Sequence, residues 1–241
     1  MKEMRKKIVN GNIYHLYNRG AGKCPIVCDN HDRFRFIHSL FEFNDVDSVL
    51  NVCRRSNQLI EVRPQSIEKA KGKGGKPRKF LVDLIAFCLM DNHYHLMVRQ
   101  RVEGGVSKFV QKFGTGYTMY FNEKHERSGV LFQGKFKSVP VSDDAQFNFL
   151  PFYIHANPLD KKFKEWRNKE MKNPKEAIEF LKEYRWSSFP DYVGVKNFPS
   201  VTQRELLLEY FEREKGVEGS FKQWLKNMNE DWNERKRITF E

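Results

Sequence analysis

Alternating and helically spaced apolar positions divide the chain into strands and helices with no regular repeat. "GNIYHLYNRG" (residues 11–20) has the character of a first strand, ended by Gly20. "DNHDRFRFIHSLFEFN" follows with helical spacing, its stripe formed by Phe34, Ile37, Leu40 and Phe41. Residues 49–63 are ambiguous, with "QLIEV" a possible strand. "FLVDLIAFCLM" and "HYHLMVRQR" predict two strands joined at the turn dipeptide "DN". "GVSKFVQKFGTGYTMYFNEKH" predicts a long amphipathic helix on Val106, Phe109, Val110, Phe113, Tyr117, Tyr120 and Phe121. That spacing marks Tyr117 and Tyr120 as core residues.

"VLFQGKFKSVPV" (130–141) predicts a further strand, with Lys135 and Lys137 on one side. Ser142 is the expected cap of the next helix, "DDAQFNFLPFYIHANP", and Asp143 and Asp144 suit its positive end. Pro151 should bend that helix and Pro158 should stop it near Asn157. Beyond "YRWSSFPDYVG", one amphipathic segment holds Leu206, Leu207, Tyr210 and Phe211, and another Phe221, Trp224, Leu225 and Met228. Strands and helices that mix without βαβ alternation argue an α+β fold.

Composition narrows the function. The chain has 241 residues, 39% of them apolar, enough for one core with an appended lobe. Its net charge of +12 favours a polyanionic partner, nucleic acid being the commonest. The stretch "RPQSIEKAKGKGGKPRKF" (63–80) concentrates that charge at Lys69, Lys71, Lys73, Lys76, Arg78 and Lys79 without an apolar period. It reads either as a solvated loop or as a nucleic-acid contact. No apolar run reaches the length of a membrane span, and the charged start "MKEMRKKIVNGNIYHLY" lacks a signal-peptide core, so a cytoplasmic location is expected. The four cysteines fit a reduced compartment, and Cys24 and Cys28 have no second close pair to complete a zinc site.

The candidate chemistry begins in "AFCLMDNHYHLMVRQ" (86–100). Side chains alternate across a strand, so His93 and His95 share one face and Tyr94 takes the other. Two imidazoles so placed can grip one metal ion, although a lone H-x-H pair is weak evidence. Tyr153 and Asn157 lie four apart on a helix and share a face. On the residues alone, Tyr153 as a packed side chain and Asn157 as a helix cap is the simpler reading.

Taken together, "MDNHYHLMV", "FYIHANPL" and "YRWSSFPDY" resemble the single-tyrosine HUH transposases of small insertion sequences, most of all the REP-associated tyrosine transposases. The resemblance runs from "YHLYNRG" to about residue 194, which implies a catalytic domain over 1–195 and a helical extension over 196–241. It implies a ferredoxin-like antiparallel sheet backed by helices. It implies His93, His95 and Asn157 as ligands of Mg²⁺ or Mn²⁺, and Tyr153 as the nucleophile. The implied reaction cleaves and rejoins single-stranded, hairpin-forming DNA through a 5′-phosphotyrosine that stores the energy of the broken bond. "HLYNRG" and "LFQGKFKS" match further family motifs, and DNA contacts are expected from Arg19, Lys135, Lys137, Lys71, Lys73, Lys76, Arg78 and Lys79. The protein would act as a monomer or a homodimer. Two other classes compete: a DNA- or RNA-binding regulator that has lost the chemistry, and a metal-dependent nuclease that uses water.

Overall fold

In a computed structural model, residues 8–47, 78–168, 170–212 and 216–232 are described. Four strands form one antiparallel sheet: β1 (Ile13–Arg19), β2 (Val82–Leu89), β3 (His93–Gln100) and β4 (Lys137–Pro140), in the order β2-β3-β1-β4. Helix α1 (Asn30–Glu42) follows β1, and α2 (Gly105–Lys124) connects β3 to β4. This βαββαβ order with neighbouring strands antiparallel is the ferredoxin-like arrangement expected above.

The chain then adds α3 (Asp144–Ala156), two short 3₁₀ turns (Asn157–Lys161 and Lys164–Asn168), α4 (Pro174–Glu183), α5 (Phe189–Tyr192), α6 (Glu205–Glu212) and α7 (Gly216–Trp232). The sheet therefore has two covered faces. Helices α1 and α2 bury one, where Phe36, Tyr94, Leu96, Phe113 and Tyr117 pack together. Helix α3 packs on β2 and β3 from the other side. There Met97, Phe149, Phe152, Phe189, Phe221 and Trp224 share a second core, so the helices beyond residue 196 pack with α3.

Alternation along β2 serves both cores, and a β-bulge between Leu84 and Ala86 shifts its phase. Ile85 and Ala86 face the second core while Leu84 and Phe87 face the first. The outer edge of β2 is covered by "WSS". Leu89 N–H donates to the Trp186 carbonyl at 2.9 Å and Ser188 N–H to the Phe87 carbonyl at 3.0 Å. The Ser188 hydroxyl accepts from Phe87 N–H at 2.9 Å and bonds His155 Nε2 of α3 at 2.8 Å. An exposed strand edge is thereby closed and α3 is fixed to it. At Gly116 a Cβ would strike the Phe43 ring, so the close approach of α2 to the end of α1 requires glycine there.

Several local expectations change. The strand expected over 130–141 is confined to Lys137–Pro140. Ahead of it Gly134 is left-handed at φ 64° and Phe132 makes only an isolated bridge to Gly20, which breaks the extended run. Lys135 therefore lies in the turn, and Lys137 alone lies in the strand. The cap of α3 is Asp143, whose carboxylate accepts from Gln146 N–H at 2.7 Å, in place of Ser142. Ser142 is instead held by the Gln146 side chain, which accepts its N–H at 2.8 Å. Helix α3 passes through Pro151 without a break. Tyr117 and Tyr120 are buried, as their spacing requires. The possible strand "QLIEV" and most of the basic stretch 63–80 lie outside the described residues.

Candidate active site

The site lies on the sheet face beneath α3. Antiparallel register sets Tyr17 opposite His95 and Arg19 opposite His93. His93 and His95 share this face, their rings perpendicular with centroids 5.1 Å apart. Tyr94 turns the other way and is buried between Phe36 and Phe113. Each imidazole is held by a neighbour. His93 Nδ1 donates to the Asn92 side-chain carbonyl at 2.7 Å. His95 Nδ1 shares a hydrogen bond with His15 Nε2 at 2.9 Å, both side chains fully buried. Such outer partners fix ring orientation and tautomer at metal sites. The turn that delivers His93 is itself tied down, because Asp91 pairs with Arg33 of α1 at 2.9 Å and with Lys161 at 2.6 Å.

Helix α3 brings the other two residues. Asn157 caps its C-terminus, the side-chain amide donating to the Tyr153 carbonyl at 2.8 Å. That uses only the nitrogen end. The oxygen end accepts from Arg167 Nη2 at 3.2 Å, and the Asn157 side chain also hydrogen-bonds His93. The two ends of this amide therefore meet different partners. The Tyr153 ring meets His95 edge-on at 5.7 Å and His15 at 6.0 Å, while Phe149 stacks on it at 5.9 Å. His93, His95, Tyr153 and Asn157 thus converge, although β3 and α3 are distant in sequence. Tyr153, His95 and Asn157 are fully buried, and only His93 keeps partial exposure.

Burial shapes the charge states. It pulls the His93 pKa down to about 4, with the Arg167 cation adding to the effect. His95 is held well below the usual imidazole range by burial first and then by the neighbouring His15. Both rings are therefore neutral near pH 7, the form that ligates metal. Burial works against the charge on Arg167, but its hydrogen bonds to Asp160 and Tyr153 outweigh it and raise its pKa.

The basic residues divide. Arg19 and Lys137 share the face of the histidines, since both stand in register with its residues. Lys137 and Lys135 are exposed, and Arg19 is half-buried and hydrogen-bonds Gln133. Arg78 turns inward. It pairs with Asp45 at 3.1 Å, donates to the Phe41 carbonyl at 2.7 Å and stacks on the Phe41 ring at 4.1 Å. These surroundings are those of a structural residue at the end of α1. The Lys79 carbonyl accepts from Val46 N–H at 2.8 Å. Lys71, Lys73 and Lys76 lie outside the described residues.

Sequence reasoning missed His15, Asp160 and Arg167. His15 alternates with the apolar Tyr14 and Leu16 and could have been noticed as a buried polar position. Arg167 sits in a polar stretch with no pattern to single it out. Another group, Cys28, Asp32 and His125, has its ligand atoms within 4.8 Å of one another. Its carboxylate is already engaged by Lys124 at 2.7 Å, the Tyr120 hydroxyl at 2.9 Å, His125 at 2.9 Å and Cys28 N–H at 2.8 Å.

An antiparallel ferredoxin-like sheet with a His–x–His strand facing a helical tyrosine and asparagine defines the class to which the comparisons speak. Residues 49–157 match the family described as "Transposase IS200 like", a span that includes both histidines and ends on Asn157. This part of the chain is similar to that family of transposases. A solved structure described as "Structure of the REP associates tyrosine transposase bound to a REP hairpin" is similar at 10% identity and a TM-score of 0.46, over 86% of this chain and 93% of that one. No curated protein matches.

Proposed function

We propose that the protein cleaves and rejoins single-stranded DNA at hairpin-associated sites, with Tyr153 as the nucleophile and His93, His95 and Asn157 as ligands of Mg²⁺ or Mn²⁺. The observation that carries this reading is the convergence of four residues of the required chemistry on one buried face. Two neutral imidazoles and one amide oxygen leave positions for water and phosphate, a donor set that fits Mg²⁺ or Mn²⁺ better than a closed zinc site. A bound divalent ion supplies Lewis-acid polarisation of the phosphate.

The chain's own residues do the rest. Tyr153 is held between Phe149, His15 and His95, which fixes the direction of its hydroxyl. As the bond from its oxygen to phosphorus forms, the bond to the 3′ oxygen breaks. The phenolic proton passes to water and the 3′ oxygen takes one up. The 5′ phosphate stays on the protein, and a later 3′ hydroxyl reverses the step. Phosphate would enter beside His93, where the site keeps exposure. Arg19 and Lys137 flank that entrance on the same sheet face, and Lys135 and the basic stretch with Lys71, Lys73, Lys76 and Lys79 would hold more of the DNA backbone.

The test is a denaturing gel of protein incubated with Mn²⁺ and labelled hairpin-bearing oligonucleotides taken from the DNA flanking the gene. The wild type forms a covalent adduct and Tyr153→Phe forms none, while its DNA binding persists. Cleavage without an adduct would establish a water-using nuclease instead, and binding without cleavage a regulator.

A further inference from the structure

We propose that Arg167 is a catalytic residue whose guanidinium holds the Tyr153 hydroxyl and carries the charge on that oxygen as the phosphotyrosine bond forms and breaks. The inference rests on the reading of Tyr153 as the nucleophile. Arg167 lies beyond the segment that matches the transposase family, in the 3₁₀ turn Lys164–Asn168. It hydrogen-bonds Tyr153, the residue whose oxygen reacts. The same guanidinium reaches the Asn157 side-chain oxygen at 3.2 Å, so it touches two residues of the site at once.

Its position is fixed by Asp160 and Trp166. Asp160 takes both edges of the fork, Nε at 2.8 Å and Nη2 at 2.8 Å. Trp166 lies under the guanidinium plane at 4.2 Å and donates its indole N–H to the same Asp160 carboxylate at 2.6 Å. A planar cation clamped by a carboxylate and an aromatic face is preorganised. Such donors act most strongly where water is excluded, and Tyr153 is fully buried.

In the forward step the phenol loses its proton to water, and Arg167 stabilises the negative oxygen that attacks phosphorus. In the reverse step the incoming 3′ hydroxyl displaces Tyr153, which departs as a phenolate beside the same guanidinium. Arg167 keeps all its protons throughout. One residue therefore serves cleavage and rejoining alike, and losing it should slow both by one factor.

The experiment measures single-turnover cleavage, and rejoining from the trapped adduct, in the full-length protein with Mn²⁺ and the hairpin oligonucleotide. Arg167→Ala should slow both by about 10²–10³-fold, the loss typical of one preorganised donor. DNA and Mn²⁺ affinities should hold, and added guanidinium ion should recover much of the rate. Arg167→Gln keeps donors for Asp160 and preserves the fold if the alanine variant does not, and it should be slow as well. Wild-type rates in the glutamine variant, or a slow alanine variant that guanidinium does not rescue, would overturn the proposal. Tyr153→Phe separates the two readings. If it still cleaves, the nucleophile assignment falls and this inference with it; if it is inert while the Arg167 variants run at full rate, only this inference falls.

Discussion

Two clusters of metal-capable side chains lie on opposite sides of the sheet, and they differ in how their charge is balanced. Cys28, Asp32 and His125 sit among the helices α1 and α2, with the fully buried Asp32 at the centre. That carboxylate accepts from Lys124, Tyr120, His125 and Cys28 N–H, so a cation and three further donors already satisfy it. On the other side, His93 and His95 are neutral and each is oriented by a partner on Nδ1. Proximity of ligand types is common to both. Only the second holds two neutral imidazoles beside the Tyr153 ring. The first is built as an ion-pair hub that joins two helices.

The sharpest way to break this comparison is metal binding followed by calorimetry. His93→Ala and His95→Ala should each weaken Mn²⁺ binding by more than about 100-fold, since even the loss of an outer partner costs about 10–100-fold. His15→Gln should fall within that outer-partner range, and His125→Ala should leave the affinity unchanged. Loss of Mn²⁺ affinity in His125→Ala alone would exchange the roles of the clusters.

Stability provides the next contrast. Asp32→Ala leaves buried donors unpaired and should cost about 3 kcal/mol in denaturant unfolding, with Mn²⁺ affinity intact. A cost near zero would mean that the hub does not hold α1 to α2.

The histidines of the second face give a pH signature in metal-free protein. Unfolded, they take up protons near the ordinary imidazole pKa. Folded, burial holds His93 at about 4 and His155 at about 3. The unfolded chain therefore binds more protons as pH falls from about 6.5, and stability should drop by about 1.4 kcal/mol per pH unit for each such histidine. Unfolding midpoints between neutral pH and pH 5 measure the slope, and His155→Gln should reduce it. The smallest effect belongs to Cys28, whose thiol is exposed and whose contribution to Asp32 is its backbone N–H. Cys28→Ala should change stability by less than about 0.5 kcal/mol and Mn²⁺ binding not at all.

Much of this architecture was legible beforehand where a local period decides it. The stripe of Phe109, Phe113 and Tyr117 specified α2, and strict alternation placed His93 and His95 on one face with Tyr94 on the other. The strand expected over 130–141 is cut short because a left-handed Gly134 interrupts a stretch with strand-like composition. The cap of α3 was misplaced by one residue because Ser142 and Asp143 are both good caps, and only the hydrogen bonds distinguish them. The two readings of Asn157 stood as rivals in the sequence, and the folded amide serves the helix end with its nitrogen while presenting its oxygen to the site.

By itself, then, the sequence determined the strand and helix periods, the α+β class, the shared face of the two histidines and the motif order that resembles a transposase family. The tertiary structure decided what no period encodes. It set His15 against His95 across two strands, 80 residues apart, and brought Arg167, clamped by Asp160 of the preceding 3₁₀ turn, to Tyr153 and Asn157. It also turned Arg78 inward and saturated Asp32 with donors. The physical reason is the range of the interactions. Side-chain alternation and helical stripes are set within one element, whereas a buried hydrogen bond or ion pair needs two elements brought within about 3 Å, and that distance exists only once the sheet is covered on both faces.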